Sequence, residues 1–139
     1  MPNPYERTIH FSDTDAAGVV YFARTLSICH EAYEEALGSA GLELHSFFSK
    51  AGVVVPIARA EVDYKRPLAC GDRIRVELRP ERLSEDSFAV NYVVTKLARP
   101  EKQAAVARTI HVCIASDTRA RTPLPAALAA WVDTAAGRG

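Results

Sequence analysis

The sequence has no apolar run long enough to cross a bilayer. Its most apolar stretches, such as Gly52–Ile57, fall far short of the ~20 residues a membrane-spanning helix needs. It has no excess of either charge: seventeen lysines and arginines balance seventeen aspartates and glutamates, so nothing global points to nucleic acid or an anionic membrane as partner. Cysteine is scarce. Cys29, Cys70 and Cys113 are odd in number and lack metal-ligand spacing, so they read as reduced thiols of a cytoplasmic protein, two of them in the core. The N-terminus, Met-Pro-Asn-Pro-Tyr-Glu-Arg, has no basic segment followed by an apolar one, so no secretion signal is expected. Repeats, low-complexity segments and a second domain boundary are also missing. What remains is one domain spanning residues 1–139, with 48% hydrophobic residues to build a core and a size at which oligomerisation helps.

The informative stretch runs from Phe11 to Ala40. Asp13 and Asp15 stand one residue apart in a turn-forming sequence, and Gly18 follows. Phe22, Leu26, Cys29, Tyr33, Leu37 and Ala40 then recur at steps of three and four, which predicts a helix over about Val20 to Ser39, with Gly41 as its C-terminal cap. Ile28, Ala32 and Ala36 widen the stripe, so the helix is expected to be covered on most sides. Its start matters chemically. Unpaired N–H groups at a helix N-terminus form a partly positive site, and a carboxylate just upstream of them is the minimum equipment for attack on a carbonyl.

Around this stretch the pattern is mostly strand. Tyr5–Phe11 reads as a first strand, and 42–51 as a connector with a short helix at 45–50. A strand follows over 53–68, with Val62 and Tyr64 on one face and Glu61, Asp63 and Lys65 on the other. Residues 73–78 alternate, 88–97 and 104–115 are further strands, and short turns at 70–72, 84–86 and 99–102 separate them. A C-terminal helix carries Leu128, Trp131 and Val132 on one face, and the final Gly-Arg-Gly frays. The order is α+β: an antiparallel sheet of about five strands around one long helix. One helix cannot seal such a sheet, so a dimer continuing the sheet across two subunits is expected.

The stretch Phe11-Ser12-Asp13-Thr14-Asp15-Ala16-Ala17-Gly18-Val19-Val20-Tyr21-Phe22, with Tyr64 to Pro67 and Gly71-Asp72 later, resembles the 4-hydroxybenzoyl-CoA thioesterase-like group of hotdog-fold thioesterases. The resemblance covers essentially the whole chain in order. Three shorter strings, Cys29-His30-Glu31-Ala32-Tyr33-Glu34, His111-Val112-Cys113-Ile114-Ala115 and Pro123-Leu124-Pro125, are similar to the cyanobacterial 1,4-dihydroxy-2-naphthoyl-CoA thioesterases of phylloquinone synthesis. The resemblance implies a hotdog fold, a cofactor-free thioesterase with an acyl-CoA substrate, and a homodimer pairing into a homotetramer. Alternatives are a broad short-chain or hydroxybenzoyl-type thioesterase, and a non-catalytic acyl-CoA-binding protein on the same scaffold.

By residue-to-residue match, Asp15 is the catalytic carboxylate, as nucleophile or as general base to water. Its bland alternative is a turn or helix cap. Asp13 is the structural member, holding the loop, and a metal site at the two aspartates lacks supporting ligands. Phe22 is matched to the residue whose amide receives the thioester oxygen, and Gly18 lets the backbone come close. His30 stands where the 4-hydroxybenzoyl enzyme has the aspartate that binds the ring hydroxyl. It therefore reads either as a contact to a different hydroxylated acyl group or as an ordinary helix histidine. Tyr21 and Pro56 complete the substrate-binding candidates. Glu31 is expected to be solvated or subunit-facing. His111, Cys113 and Thr109 share one strand face, lining a pocket or closing the core. Lys65, Arg66, Arg82, Lys96 and Arg99 are the candidates for the CoA phosphates. The basic cluster that the 4-hydroxybenzoyl enzyme uses for CoA is replaced here by Ser84-Glu85-Asp86.

Overall fold

A computed structural model describes residues 4–136. Strand β1 (Tyr5–Thr8) leads through a 3-10 turn (Phe11–Asp13) into helix α1 (Phe22–Ser39). Helix α2 (Phe47–Ala51) follows, then β2 (Val53–Val54), β3 (Ile57–Tyr64), β4 (Arg73–Ser84), β5 (Ser87–Lys96), β6 (Lys102–Val112), β7 (Ile114–Ala115) and helix α3 (Ala126–Ala136). Five strands form one antiparallel sheet in the order β1-β4-β5-β6-β3, and β2 pairs with β7 beside it. The expected α+β layout and five-stranded antiparallel sheet are present. The Gly137-Arg138-Gly139 tail lies outside the described residues.

The boundaries differ where local chemistry intervenes. The first strand stops at Thr8, because Phe11–Asp13 closes a 3-10 turn. The expected strand over 53–68 is broken at Val55-Pro56, since proline has no N–H for a ladder. The β4 strand outruns the expected 73–78 and passes through Pro80. It can do so because β1 covers only Arg73–Val76, leaving one edge of β4 without a neighbour at Pro80. Helix α1 ends at Ser39, and Gly41 closes it as expected. With φ +87 there, Gly41 N–H reaches Gly38 O (3.0 Å) and Leu42 N–H reaches Leu37 O (3.0 Å), the paired bonds of a Schellman stop.

The helix is covered on one side, not on most sides. Thr25, Ile28, Cys29, Ala32, Tyr33 and Leu37 are buried against the sheet, whereas Phe22, Ala23, Glu34, Glu35 and Ala40 face outward. Phe22 and Ala40 therefore leave the stripe that periodicity assigned them: one is the first residue of the helix and the other its C-cap, at the two ends of the buried face. Of the cysteines, Cys29 and Cys113 are in the core and Cys70 is exposed. The sheet's last strand, β3, has seven of its eight residues exposed, with Ile57 and Tyr64 the large apolar ones. A long, open, partly apolar edge is an unfinished surface.

His111 belongs to the core. It is 1% exposed and stacks on Phe88 at 4.7 Å with the rings 5° from parallel, while Tyr33 lies 4.8 Å away. Its Nε2 bonds Thr109 Oγ1 at 2.8 Å, and Thr109 in turn meets the Tyr92 hydroxyl at 3.1 Å. Its Nδ1 is buried with no partner. Burial, helped by the nearby His30, lowers its pKa to about 4 from the usual 6.5. The folded protein thus keeps His111 neutral where the unfolded chain would protonate it, so this stability is full above pH 6.5 and is lost as pH falls toward 4. Between pH 7 and pH 5 the loss should be about 2 kcal/mol. Urea unfolding at the two pH values, at one protein concentration, should show it, and His111→Phe should flatten the difference. An equal acid sensitivity in that variant would locate the effect elsewhere.

Candidate active site

The loop between β1 and α1 is a tight hairpin. Thr14 and Val20 form an isolated antiparallel bridge, Asp15 N–H reaches Val19 O at 2.9 Å, and Gly18 N–H reaches Asp15 O at 2.9 Å. Gly18 takes φ +82, which a residue with a Cβ adopts only under strain. Nothing lies within 4 Å of where that Cβ would be, so its face is open. Asp15 is exposed, and its Oδ1 accepts the Ala17 N–H at 2.9 Å. The turn-capping role is therefore real for one oxygen. The other, Oδ2, meets no donor among the described residues, which leaves an anionic oxygen open to a substrate.

Asp13 is used quite differently. Its side chain is fully buried. Arg24 Nε donates to Oδ1 at 2.8 Å, while Oδ2 accepts the His10 N–H at 2.8 Å and an Arg7 guanidinium N–H. Its backbone O also accepts the Tyr21 N–H at 3.0 Å. Burial alone would raise its pKa, but the His10 N–H and the two guanidinium groups outweigh it and hold the carboxyl below its usual range. Both oxygens are occupied by cations, so this donor set cannot take a metal. Among the described residues no cluster of three His, Cys, Asp or Glu has metal-binding geometry.

Glu31 is not simply solvated. It accepts Arg7 Nη1 at 2.8 Å and the Tyr5 hydroxyl at 2.7 Å, extending the Asp13 network onto the third turn of α1. The Tyr5 pKa is pushed up to about 12 by burial and then by Glu31. Sequence reasoning missed these arginine partners. The only signal was an arginine in the first strand and another at the third helical position.

Tyr21 precedes the helix as its N-cap and offers no side-chain cap, so no side chain occupies the N–H groups of the first turn. Phe22 N–H, the first of them, meets no acceptor among the described residues. Phe22 lies on the wall of a cavity of about 300 Å³, with Val19, Val20 and Thr25 on one side and Tyr64 to Leu68 and Ala104-Ala105 on the other. The Tyr64 hydroxyl donates to Phe22 O, pinning the strand end to the helix start. The Val20 N–H reaches Leu68 O at 2.8 Å and fixes the loop from below. Tyr64 in this role was not foreseen.

Asp15, Gly18, Tyr21 and Phe22 are thus brought together on one loop, though only Phe22 is on the cavity wall. His30 lies eight residues along α1, about 12 Å from Phe22. It is half-buried, and its Nδ1 is 3.4 Å from Glu34 Oε1. Pro56 stands just before β3, whose Tyr64 end reaches the cavity, so within one chain it is about 26 Å away along the strand. Of the phosphate candidates, Arg82 is paired with Asp133 (2.9 Å) and Lys96 with Asp72 (3.4 Å). Lys65, Arg66 and Arg99 have no carboxylate partner among the described residues. An anionic oxygen, a free helix-start N–H and an apolar cavity together can attack a carbonyl and hold the oxyanion that forms.

Comparison with known proteins places this arrangement. Residues 9–132 match the model of the Thioesterase-like superfamily. A 1,4-dihydroxy-2-naphthoyl-CoA hydrolase of Synechococcus elongatus is 52% identical over 133 residues, covering 95% of this chain and 96% of the relative. The enzyme of the same name from Thermosynechococcus vestitus is 47% identical, covering 94% and 88%. The crystal structure of a 1,4-dihydroxy-2-naphthoyl-CoA thioesterase from Synechocystis superposes with a TM-score of 0.88 at 37% identity, covering 94% of this chain and 95% of that one. With the matched residues running from just after the first strand into the last helix, the chain belongs to the Thioesterase-like superfamily and has the hotdog fold.

Proposed function

We propose that this chain hydrolyses 1,4-dihydroxy-2-naphthoyl-CoA to 1,4-dihydroxy-2-naphthoate and CoA, the step that the resemblance assigns to phylloquinone synthesis. The observation that carries the reading is the free Oδ2 of Asp15, on the loop that leads into the unpartnered Phe22 N–H at the cavity. The names of the relatives support the acyl group. Attack at the thioester carbon forms a C–O bond and moves charge onto the carbonyl oxygen, which the Phe22 N–H receives. Collapse breaks the C–S bond and expels the CoA thiolate, which takes up a proton. Asp15 supplies the attacking oxygen itself, giving an anhydride that water opens, or it takes the proton from an attacking water.

A cytoplasmic location fits the unpaired thiols, and among the described residues no helix is long and apolar enough to cross a membrane. His30 is the reader of the ring hydroxyls in this proposal. Glu34 beside Nδ1 leaves Nε2 for the ligand, and a buried hydroxyl without a partner would cost about 1–3 kcal/mol. The open β3 edge supports a homodimer joined along that edge, with two dimers pairing into a tetramer. Antiparallel pairing of two β3 strands sets the start of one beside the end of the other, which brings Pro56 of one copy to the Tyr64 end of the second.

Asp15→Asn should lower kcat by about a hundredfold or more with folding intact, because the asparagine oxygen can still accept the Ala17 N–H. Asp13→Asn should instead lower stability by about 3 kcal/mol, since it strips charge from a buried pair whose Arg24 member is partly open to solvent. Thiol-release assays and urea unfolding of both variants decide the roles, and they are reversed if Asp13→Asn loses turnover at unchanged stability.

On a panel of CoA esters, kcat/KM should be highest for the dihydroxynaphthoyl ester, and His30→Ala should shrink its advantage over the plain 2-naphthoyl ester. A faster straight-chain ester would replace this substrate with the broad-specificity reading. An unchanged advantage would remove His30 from the site. Sedimentation at micromolar protein should give at least twice the 15.2 kDa chain mass, and an active monomer would reject the shared site.

A further inference from the structure

Every formal charge on the wall of the cavity at the helix start is positive. Its lining holds Lys65 and Arg66 and no aspartate or glutamate, although acids and bases balance over the whole chain. Elsewhere most of the arginines are neutralised: Arg75 by Glu101, Arg108 by Glu81, Arg82 by Asp133 and Arg121 by Asp86. The last two flank the turn at 84–86, whose acids leave that end of the sheet poorly suited to an anion. Lys65 and Arg66, by contrast, meet no carboxylate among the described residues.

Backbone geometry brings these two neighbours to one wall. The Lys65 N–H (2.8 Å) and Arg66 N–H (3.1 Å) both reach Ala104 O. Two successive donors on one acceptor are the mark of a bulge, where strict alternation of side chains fails. The neighbouring β5–β6 ladder also shifts register at Val94/Thr95, opposite the same residue. Without the bulge, Lys65 would belong to the outer face with Glu61 and Asp63. The partly positive start of α1 opens on the same space at Phe22.

We propose that Lys65 and Arg66 bind phosphate groups of the CoA portion of the substrate. This rests on the acyl-CoA reading above and adds to it the part of the ligand that the two cations hold. Charge-assisted bonds from an ammonium and a guanidinium suit phosphate oxygens. They would draw the thiol arm of CoA along the cavity toward the Phe22 amide.

The test compares the acyl-CoA ester with the same acyl group on N-acetylcysteamine, which carries no phosphate. In the Lys65→Gln/Arg66→Gln double variant, KM for the CoA ester should rise about tenfold, several-fold more than KM for the N-acetylcysteamine ester. Lys50→Gln, which alters an exposed lysine outside the cavity, should leave both values unchanged. Calorimetry on the unmodified protein should find CoA bound more tightly than pantetheine, with an advantage that shrinks as salt rises. Dephospho-CoA behaving like CoA would assign the diphosphate, and behaving like pantetheine would assign the 3′-phosphate. Equal affinity for CoA and pantetheine, or a double variant that keeps its CoA affinity, would overturn the proposal. If no ester releases thiol but the double variant still loses CoA affinity, the hydrolytic reading fails and the phosphate site stands.

Discussion

The buried carboxylate of Asp13 is the interaction on which the rest of the site depends. Taking a carboxylate out of water costs several kcal/mol unless its oxygens are fully bonded. Here two guanidinium groups and a backbone N–H occupy both oxygens. The donors come from β1 (Arg7), the residue before the 3-10 turn (His10) and the first turn of α1 (Arg24), so one anion fastens three consecutive elements. With Asp13 O also holding the Tyr21 N–H, the start of α1 is fixed to the loop that precedes it. The free amide at Phe22 therefore has a settled direction, which the proposed oxyanion role requires.

The same knot explains why two aspartates one residue apart take different parts. The hairpin bonds from Asp15 to Val19 and from Gly18 to Asp15 turn the chain outward just after Asp13 is buried. Asp15 is left with a single backbone donor and an open oxygen. Environment, not residue type, divides the labour, as it does in enzymes whose paired carboxylates serve distinct roles.

Much of the fold was legible because its signals are local. The apolar period of α1, the Schellman glycine at Gly41 and the short turns between β4, β5 and β6 each act within a few residues. What could not be read depends on contacts made only after folding. The arginines around Asp13 stand six residues before it and eleven after it, and no spacing rule joins them. Phe22 fitted the helical stripe, but at the first residue of the helix it lies on the open cavity and is exposed. Alternation put Tyr64 only on one strand face with Val62, and its bond to Phe22 O needed the strand end to meet the helix start. His111 read equally as pocket or core, and only its stacking on Phe88 decides for the core. Pro56 is a site residue only if two copies share one site, because no register within a single chain brings it to the cavity.

A chain of zero net charge can still carry a directed field, and here the direction runs along α1. Its N-terminal end opens on the cavity wall that bears Lys65 and Arg66. Farther along the same helix, Glu31, Glu34 and Glu35 line a second groove with Tyr5 and Leu44. These acids precede the last turn of α1, so they add negative charge there at little cost against the helix dipole. Arg7 pairs with Glu31, and the others keep the groove acidic. The outer sheet face contributes little to the field, because its arginines are cancelled by adjacent acids. An anionic ligand approaching this surface is attracted at one end of the helix and repelled at the other. An asymmetry of that kind would turn the proposed phosphate-bearing thioester with its carbonyl toward Phe22, and the paired charges elsewhere do not oppose it.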